Sequence, residues 1–133
     1  MRGTKPHLVI DNDAVTRAPA PPSWLSVEAK KEWRRVLPVL VKRKILTIAD
    51  LGSLENYCAA IGQVREMERH LQEHGHVVTV DSVMKRNPAV GIQADAMTRA
   101  RLLAAELGLT PVSRSRPAIR EDGEDDDFAG MDL

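Results

Sequence analysis

The sequence predicts an all-α fold built from three helices, and three observations support this prediction. Apolar residues recur every three or four positions along three segments, which is the spacing of a helix with one buried face. A residue suited to capping a helix N-terminus precedes each segment: Ser26, Thr47 and Asn87. Glycines follow two of the segments, at positions 75 and 108, where a left-handed residue commonly ends a helix.

The first helix is predicted from about Val27 into the basic cluster at residues 42–44. Its apolar stripe consists of Trp33, Val36, Leu37, Leu40 and Val41. An interior proline removes a hydrogen bond and clashes with the preceding turn, so we expect Pro38 to kink or divide this helix. Trp24 and Trp33 lie in or beside the apolar stripe, which predicts core anchors rather than platforms for base stacking.

The second helix is predicted over residues 48–74, after a capping box in which Asp50 takes the usual place of Glu or Gln. Its apolar positions are Ile48, Leu51, Leu54, Cys58, Ile61, Val64, Met67 and Leu71. At a rise of ~1.5 Å per residue the helix would be ~40 Å long. Such a length indicates packing against another helix or another subunit.

Residues 77–85 leave two alternatives open. The β-branched run at 77–80, followed by Asp81-Ser82 and Val83-Met84-Lys85, fits either a small hairpin or an irregular loop. A third helix is then predicted over about residues 88–107, with Pro88 at its first position and Pro111 preventing any restart. Because this helix is apolar on more than one side, we expect it to be central or shared between subunits.

The chain divides into three predicted regions. Residues 1–23 hold four prolines without a helical period and predict a flexible arm; residues 24–110 predict a helical core; residues 111–133 predict a disordered tail. A chain of 133 residues suggests a single domain. Its one cysteine, Cys58, fits a reduced protein, and we expect neither a membrane span nor a signal peptide.

The net charge of zero conceals an uneven distribution. Residues 121–133 hold seven acidic and no basic residues, which leaves seven more basic than acidic residues in the remainder. A basic body with an acidic tail points to a polyanionic partner. The tail itself could compete with DNA for the basic body, or dock on a partner through Phe128, Met131 and Leu133. We favour docking, because electrostatic competition alone would not require apolar residues.

Basic residues form two candidate groups. The first contains seven cations within residues 30–44: Lys30, Lys31, Arg34, Arg35, Lys42, Arg43 and Lys44. On a helix, residues 30, 31, 34 and 35 share a face that could contact phosphates or serve as ordinary solvated surface. In the second group, we expect Arg99 and Arg101 to pair with Asp95 or Glu106. Loose DNA contact and plain solubility fit Arg114, Arg116 and Arg120 equally well.

The sequence gives little support for metal binding or catalysis. His70 and His74 have the spacing of helical zinc ligands, but Leu71 stands where a metalloprotease carries Glu. We therefore favour a polar helix end for His70, His74 and His76, and predict no metal and no cofactor. No nucleophile elbow or phosphate-binding glycine loop occurs in the sequence.

The order of several short motifs resembles the small subunits of bacteriophage DNA-packaging terminases. The resemblance covers about residues 22–116. Its motifs are Pro22-Ser23-Trp24-Leu25-Ser26, Ala29-Lys30-x-x-Trp33, Leu37-Pro38-x-Leu40, Leu46-Thr47-x-x-Asp50, Tyr57-Cys58, Asn87-Pro88, Glu106-Leu107-Gly108-Leu109-Thr110-Pro111 and Ser113-Arg114-x-Arg116.

This resemblance implies a non-enzymatic protein of the host cytoplasm that assembles into a homo-oligomeric ring. It implies that double-stranded viral DNA is recognised at the packaging start, and that the partner is the large subunit, which carries the ATPase and nuclease. The residues expected at DNA are Lys30, Lys31, Arg34, Arg35, Lys42, Arg43, Lys44, Arg114 and Arg116. The alternatives are a structural phage adaptor without specific DNA binding, a metal-dependent nuclease accessory, and a helix-turn-helix regulator whose turn would be residues 44–50.

Overall fold

The computed structural model describes residues 14–113. Its elements are α1 (Val27–Arg43), a 3₁₀ turn (Ile48–Asp50), α2 (Leu51–His74), β1 (Val77–Val80), β2 (Val83–Arg86) and α3 (Pro88–Glu106). The described chain is therefore mostly helical with one antiparallel hairpin. The prediction of a strictly all-α fold was too narrow, because the run of β-branched residues at 77–80 pairs with 83–86.

Local chemistry sets both ends of α1. The Ser26 hydroxyl accepts a hydrogen bond from the backbone N–H of Ala29 at 3.2 Å, which caps the N-terminus as predicted. Pro38 lies inside the helix and does not divide it, since α1 continues to Arg43. Lys44 then turns the chain in a left-handed conformation with φ of 59°.

The long helix α2 is the centre of the fold. Its 3₁₀ turn begins at the predicted capping box, in which the Thr47 backbone N–H donates to the Asp50 carboxylate at 2.9 Å. The α-helix itself begins at Leu51, three residues later than predicted, and ends at Gly75 with φ of 86°. α1 packs on one side of α2 and α3 on another. Much of the length of α2 is thus covered within a single chain.

The hairpin is closed by a two-residue turn, Asp81 and Ser82, with φ values of 51° and 66°. Positive φ at both positions matches the right-handed twist of the flanking strands. Asn87 fastens the base of the hairpin, since its backbone N–H donates to His76 O at 2.8 Å and its side chain donates to Gly75 O at 2.9 Å. Every hairpin residue except Val78 is exposed.

The α3 helix begins and ends where predicted. The chain that follows it differs from the prediction. The Asn87 side chain accepts from Ala89 N–H at 2.9 Å, Pro88 occupies the first turn, and Gly108 follows with φ of 75°. A further helical turn then begins at Pro111, which contradicts the expectation that Pro111 prevents a restart. Proline is well suited to the first position of a helix, where no N–H is needed. Residues 114–133 of the predicted tail lie outside the described residues.

The core lies between α1 and α2 and is closed by the end of α3. It contains Leu25, Trp33, Leu37, Leu40, Leu54 and Cys58 among its buried residues. Trp24 was predicted to be in the core but is 59% exposed, because its neighbour Leu25 occupies the buried position. Ile48 is also exposed, since it precedes α2 on the 3₁₀ turn.

The described part of the N-terminal arm runs along α1. The Val15 backbone N–H donates to Leu46 O at 2.8 Å, and Ala14 forms a bridge with Thr47. The Trp33 indole donates to Pro19 O at 2.9 Å. The arm residues 14–22 are thus fixed at two points on the body, and residues 1–13 lie outside the described part of the chain.

Candidate nucleic-acid interface on the first helix

The basic residues of α1 are distributed around the helix rather than gathered on one face. Lys30 and Arg34 are one turn apart, on the side that faces the N-terminal arm. Arg35 and Arg43 line a separate cleft of about 240 Å³, together with Tyr57 and Leu109. The predicted continuous face of residues 30, 31, 34 and 35 is therefore divided between two sides of the helix.

Arg35 is engaged by Glu32, a carboxylate whose exposed fraction is 0%. Arg35 donates twice to it, through Nε at 2.9 Å and Nη2 at 2.6 Å. The Tyr57 hydroxyl donates to the same carboxylate at 2.6 Å, and Arg65 donates at 2.8 Å. The bonds from Tyr57 and Arg65 connect α1 to α2, while the two from Arg35 lie within α1 and hold the Glu32 carboxylate in place.

The electrostatics of this cluster follow from burial and hydrogen bonding. Burial by itself would raise the pKa of Glu32, but hydrogen bonds from Arg35, Tyr57 and Arg65 outweigh burial and lower it. The pKa of Tyr57 is raised, first by burial and then by its hydrogen bond to Glu32. The pKa of Arg35 is also raised, chiefly by the hydrogen bond to Glu32. All three groups therefore keep their neutral-pH charge states.

A second, more exposed set of ion pairs surrounds Glu28. Its carboxylate lies 3.4 Å from Lys31, 2.9 Å from Arg69 and 3.8 Å from Arg65. The hydrogen bond from Arg69 lowers the pKa of Glu28 more than any other interaction does. Lys31, one of the predicted DNA contacts, therefore shares the Glu28 carboxylate with two arginines of α2.

The other cations at this helix have no such acid among the described residues. Arg43 donates to the backbone oxygen of Gly108 at 2.9 Å and forms no ion pair with any residue from 14 to 113. Within residues 14–113, no ion pair is formed by Lys30, Arg34, Lys42 or Lys44. We call these four residues, three in α1 and Lys44 at its C-terminal cap, the α1 cations. Only Lys30 among them is half-buried; the other three are exposed.

The second basic group does not pair as expected. Arg99 donates to the Gln63 side chain at 2.8 Å, and across the described residues neither it nor Arg101 forms an ion pair. The prediction that they pair with Asp95 or Glu106 was wrong, because Arg99 reaches across to α2 instead. Arg114, Arg116 and Arg120 lie outside the described residues.

Sequence reasoning missed three groups that the fold exposes or brings together. Lys85 and Arg86 stand exposed on β2, and Arg17 stands exposed on the arm. Arg65 and Arg69 meet the acids of α1 from 33 and 41 residues away in the sequence. In the sequence, only the spacing of three residues between Glu32 and Arg35 indicates the buried cluster, since residues three apart on a helix are neighbours.

Within the described range, His70, His74, His76 and Cys58 do not form a metal site. The rings of His70 and His74 lie 4.5 Å apart. Among residues 14–113, no group of three or more His, Cys, Asp or Glu side chains is placed to hold a metal ion. Burial raises the pKa of the Cys58 thiol to about 12, so this thiol is unreactive at neutral pH. No helix in the same range is long and apolar enough to cross a membrane.

Comparison with protein families shows which family the chain resembles. Residues 29–124 match the family described as phage terminase, small subunit. This range includes most of α1, all of α2, the hairpin and all of α3. Neither a curated protein nor a solved structure shows a significant match.

Proposed function

The chain belongs to the phage terminase small-subunit family, and we propose that it binds double-stranded viral DNA where packaging starts. In this proposal the chain acts in the host cytoplasm without catalysing a reaction itself. The large subunit supplies the ATPase and nuclease, and this chain regulates it. Family membership and the unpaired charge of the α1 cations together support DNA binding through phosphates.

The spacing of the α1 cations suits a duplex. From Lys30 to Lys42 the helix rises ~18 Å, a length over which duplex DNA carries about ten phosphates on its two strands. Four neutralised phosphates per engaged subunit release counterions, so affinity should fall roughly 100-fold between about 50 and 200 mM salt. A structural adaptor with an ordinary solvated surface would not show this dependence.

The site is tested with two triple variants of equal charge. Lys30, Arg34 and Lys42 are changed to Glu in one, and Lys85, Arg86 and Arg101 in the other. Lys31 and Arg35 stay unchanged, because Arg35→Glu would place a second carboxylate against buried Glu32. We expect the first variant to lose at least ~100-fold in duplex affinity, measured by fluorescence anisotropy. The control should lose far less, and equal losses in both would refute binding through α1.

We also propose that the chain assembles into a homo-oligomer larger than a dimer that closes into a ring. Apolar side chains stand exposed on the hairpin and along α3, with Met84 73% and Ile92 47% exposed. An exposed two-stranded hairpin is marginally stable alone and gains from a covering surface. The double variant Val80→Ser, Val83→Ser should reduce the mass measured by light scattering, whereas Val27→Ser on α1 should not. A monomeric wild-type chain at tens of micromolar would contradict the proposal.

Regulation of the large subunit is tested by ATP hydrolysis in the presence of DNA. The wild-type chain should change the rate of the large subunit, and the variant of Lys30, Arg34 and Lys42 should lose the DNA-dependent part of that effect. An unchanged rate with the wild-type chain would favour the structural adaptor.

A further inference from the structure

A cleft of about 470 Å³ separates the N-terminal arm from α1. Arm residues 18–21 form one wall, and Trp33, Leu37 and Pro38 form the other. The hydrogen bond from the Trp33 indole to Pro19 O holds the arm beside α1. Since an apolar cavity of about 150 Å³ holds a benzene ring, the cleft is large enough for a phenylalanine side chain.

One cation lines this cleft, and two others lie near it along α1. Arg34 lines the cleft, is exposed, and forms no ion pair with any residue from 14 to 113. Lys30 lies one turn before it, and Lys42 lies two turns after it on the outward side of α1. An occupant of the cleft should therefore combine an apolar side chain with negative charge.

The acidic end of this chain has that combination. Residues 121–133 contain seven acids and no base, and Phe128 directly follows three aspartates at 125–127. Phe128, Met131 and Leu133 supply apolar side chains within this acidic segment. The arm cleft offers Phe128 an apolar site on its own chain, beside a cation for its aspartates.

The tail can reach this cleft from where it leaves the fold. Gly108, five residues before the last described residue, is bonded to Arg43 at the end of α1. Arg34 lies ~14 Å from Arg43 along the same helix. About 14 residues separate Ser113 from Phe128, and such a segment spans up to ~45 Å. A tether with this slack gives an effective concentration in the millimolar range.

We propose that Phe128 docks in the arm cleft of its own chain, with Asp126 and Asp127 against Arg34. The tail then covers part of the α1 cations and excludes a phosphate backbone from them. The docking itself is independent of DNA, while its regulatory consequence rests on the proposed function. Duplex DNA and the tail would compete for Arg34, so the chain would bind DNA more weakly than its α1 surface alone allows.

Disulfide trapping in the full chain tests the docking without DNA. Ala129→Cys is combined with Ala18→Cys in the cleft or, as a matched control, with Ala94→Cys, an exposed position on α3. Cys58 stays in place, because its buried thiol with raised pKa does not compete. We expect at least a tenfold excess of internal disulfide in the cleft pair, and its loss when Phe128→Ala or Arg34→Gln is added. Equal trapping of the two pairs, indifference to Phe128→Ala, or a disulfide between two chains would overturn the proposal.

Duplex affinity of the full chain separates the two proposals. Phe128→Ala removes no charge, so a rise in affinity of at least about threefold would show that release of the tail exposes the α1 surface. If trapping occurs in the cleft but Phe128→Ala leaves affinity unchanged, the docking stands and its regulatory consequence is refuted. If neither the wild-type chain nor Phe128→Ala binds duplex, the proposed function fails, and the trapping result still decides the docking.

Discussion

The two contacts that α2 makes with neighbouring helices consist of different kinds of side chains. Against α1, it presents Arg65 and Tyr57 to the buried carboxylate of Glu32. Against α3, it meets small residues, Ala89, Ala96 and Ala100, and one buried amide, Gln93. The first contact is held by charge-assisted hydrogen bonds of defined direction, whereas the second depends on close approach of backbones. The first should therefore fail when one charge is removed, and the second should tolerate most single changes.

The largest effect is expected from Glu32→Gln. The amide keeps the shape of the side chain but loses the charge that accepts from Arg35 and Arg65, which should cost about 2–3 kcal/mol of unfolding free energy. Both arginines remain partly exposed and can be rehydrated, which limits the loss. Urea unfolding measures it, with Glu28→Gln as the more exposed control. A smaller loss for Glu32→Gln than for Glu28→Gln would refute the central role of the buried carboxylate.

The same carboxylate predicts how stability depends on pH. The pKa of Glu32 is lower in the folded chain than in the unfolded chain, so its stabilisation is complete above the ordinary glutamate value. The stabilisation is lost as pH falls through the lowered folded pKa. Thermal unfolding between about pH 7 and pH 3 should show a drop in midpoint that is reduced in Glu32→Gln. Equal pH dependence in the two proteins would assign the acid sensitivity to other carboxylates.

A smaller loss of unfolding free energy is expected at Gly62, where α2 lies against the start of α1. A Cβ added at Gly62 would lie 2.9 Å from the Ser26 hydroxyl and 3.0 Å from the Ala29 backbone nitrogen. Because backbone cannot move aside cheaply, Gly62→Ala should destabilise the chain by about 1–2 kcal/mol. Gly52, in the same helix, has nothing within 4 Å of such a Cβ. Gly52→Ala should stabilise the chain by about 0.5–1 kcal/mol, and the same sign in both variants would contradict the difference in packing.

The smallest loss of unfolding free energy is expected from a substitution in the α2–α3 contact. Gln93 donates to Val64 O at 3.1 Å and to Glu68 at 2.9 Å from a buried position. Gln93→Ala removes both donors, yet Glu68 keeps its hydrogen bond from Gln72. We expect a loss of about 1 kcal/mol by urea unfolding. A loss larger than that of Glu32→Gln would reverse the comparison between the two contacts.

The difference between the contacts also explains what sequence could predict. Helix ends depend on residues that are neighbours in the chain, so the caps at Ser26 and Asn87 and the glycines 75 and 108 were predicted correctly. The hairpin depends on pairing across a short turn and stayed one of two alternatives. The basic neighbours of Arg35 along the helix predict a contact with DNA. Its place in the Glu32 cluster depends in part on Tyr57 and Arg65, which come from a distant segment of the sequence. Whether Trp24 or Leu25 is buried depends on the direction in which the chain approaches α1.

The positions of Ala14 and Gly108 have a topological consequence. Ala14 pairs with Thr47, and Arg43 donates to Gly108 O, so residues 14 and 108 both lie near the junction of α1 and α2. The Asp81–Ser82 turn lies beyond the other end of α2, some 36 Å along its axis. The core of residues 14–113 is thus open to circular permutation, with a linker joining Ala14 to Ser113 and new termini at an exposed turn. A permuted chain would keep both helix contacts of α2 while presenting its termini at the opposite pole of the molecule.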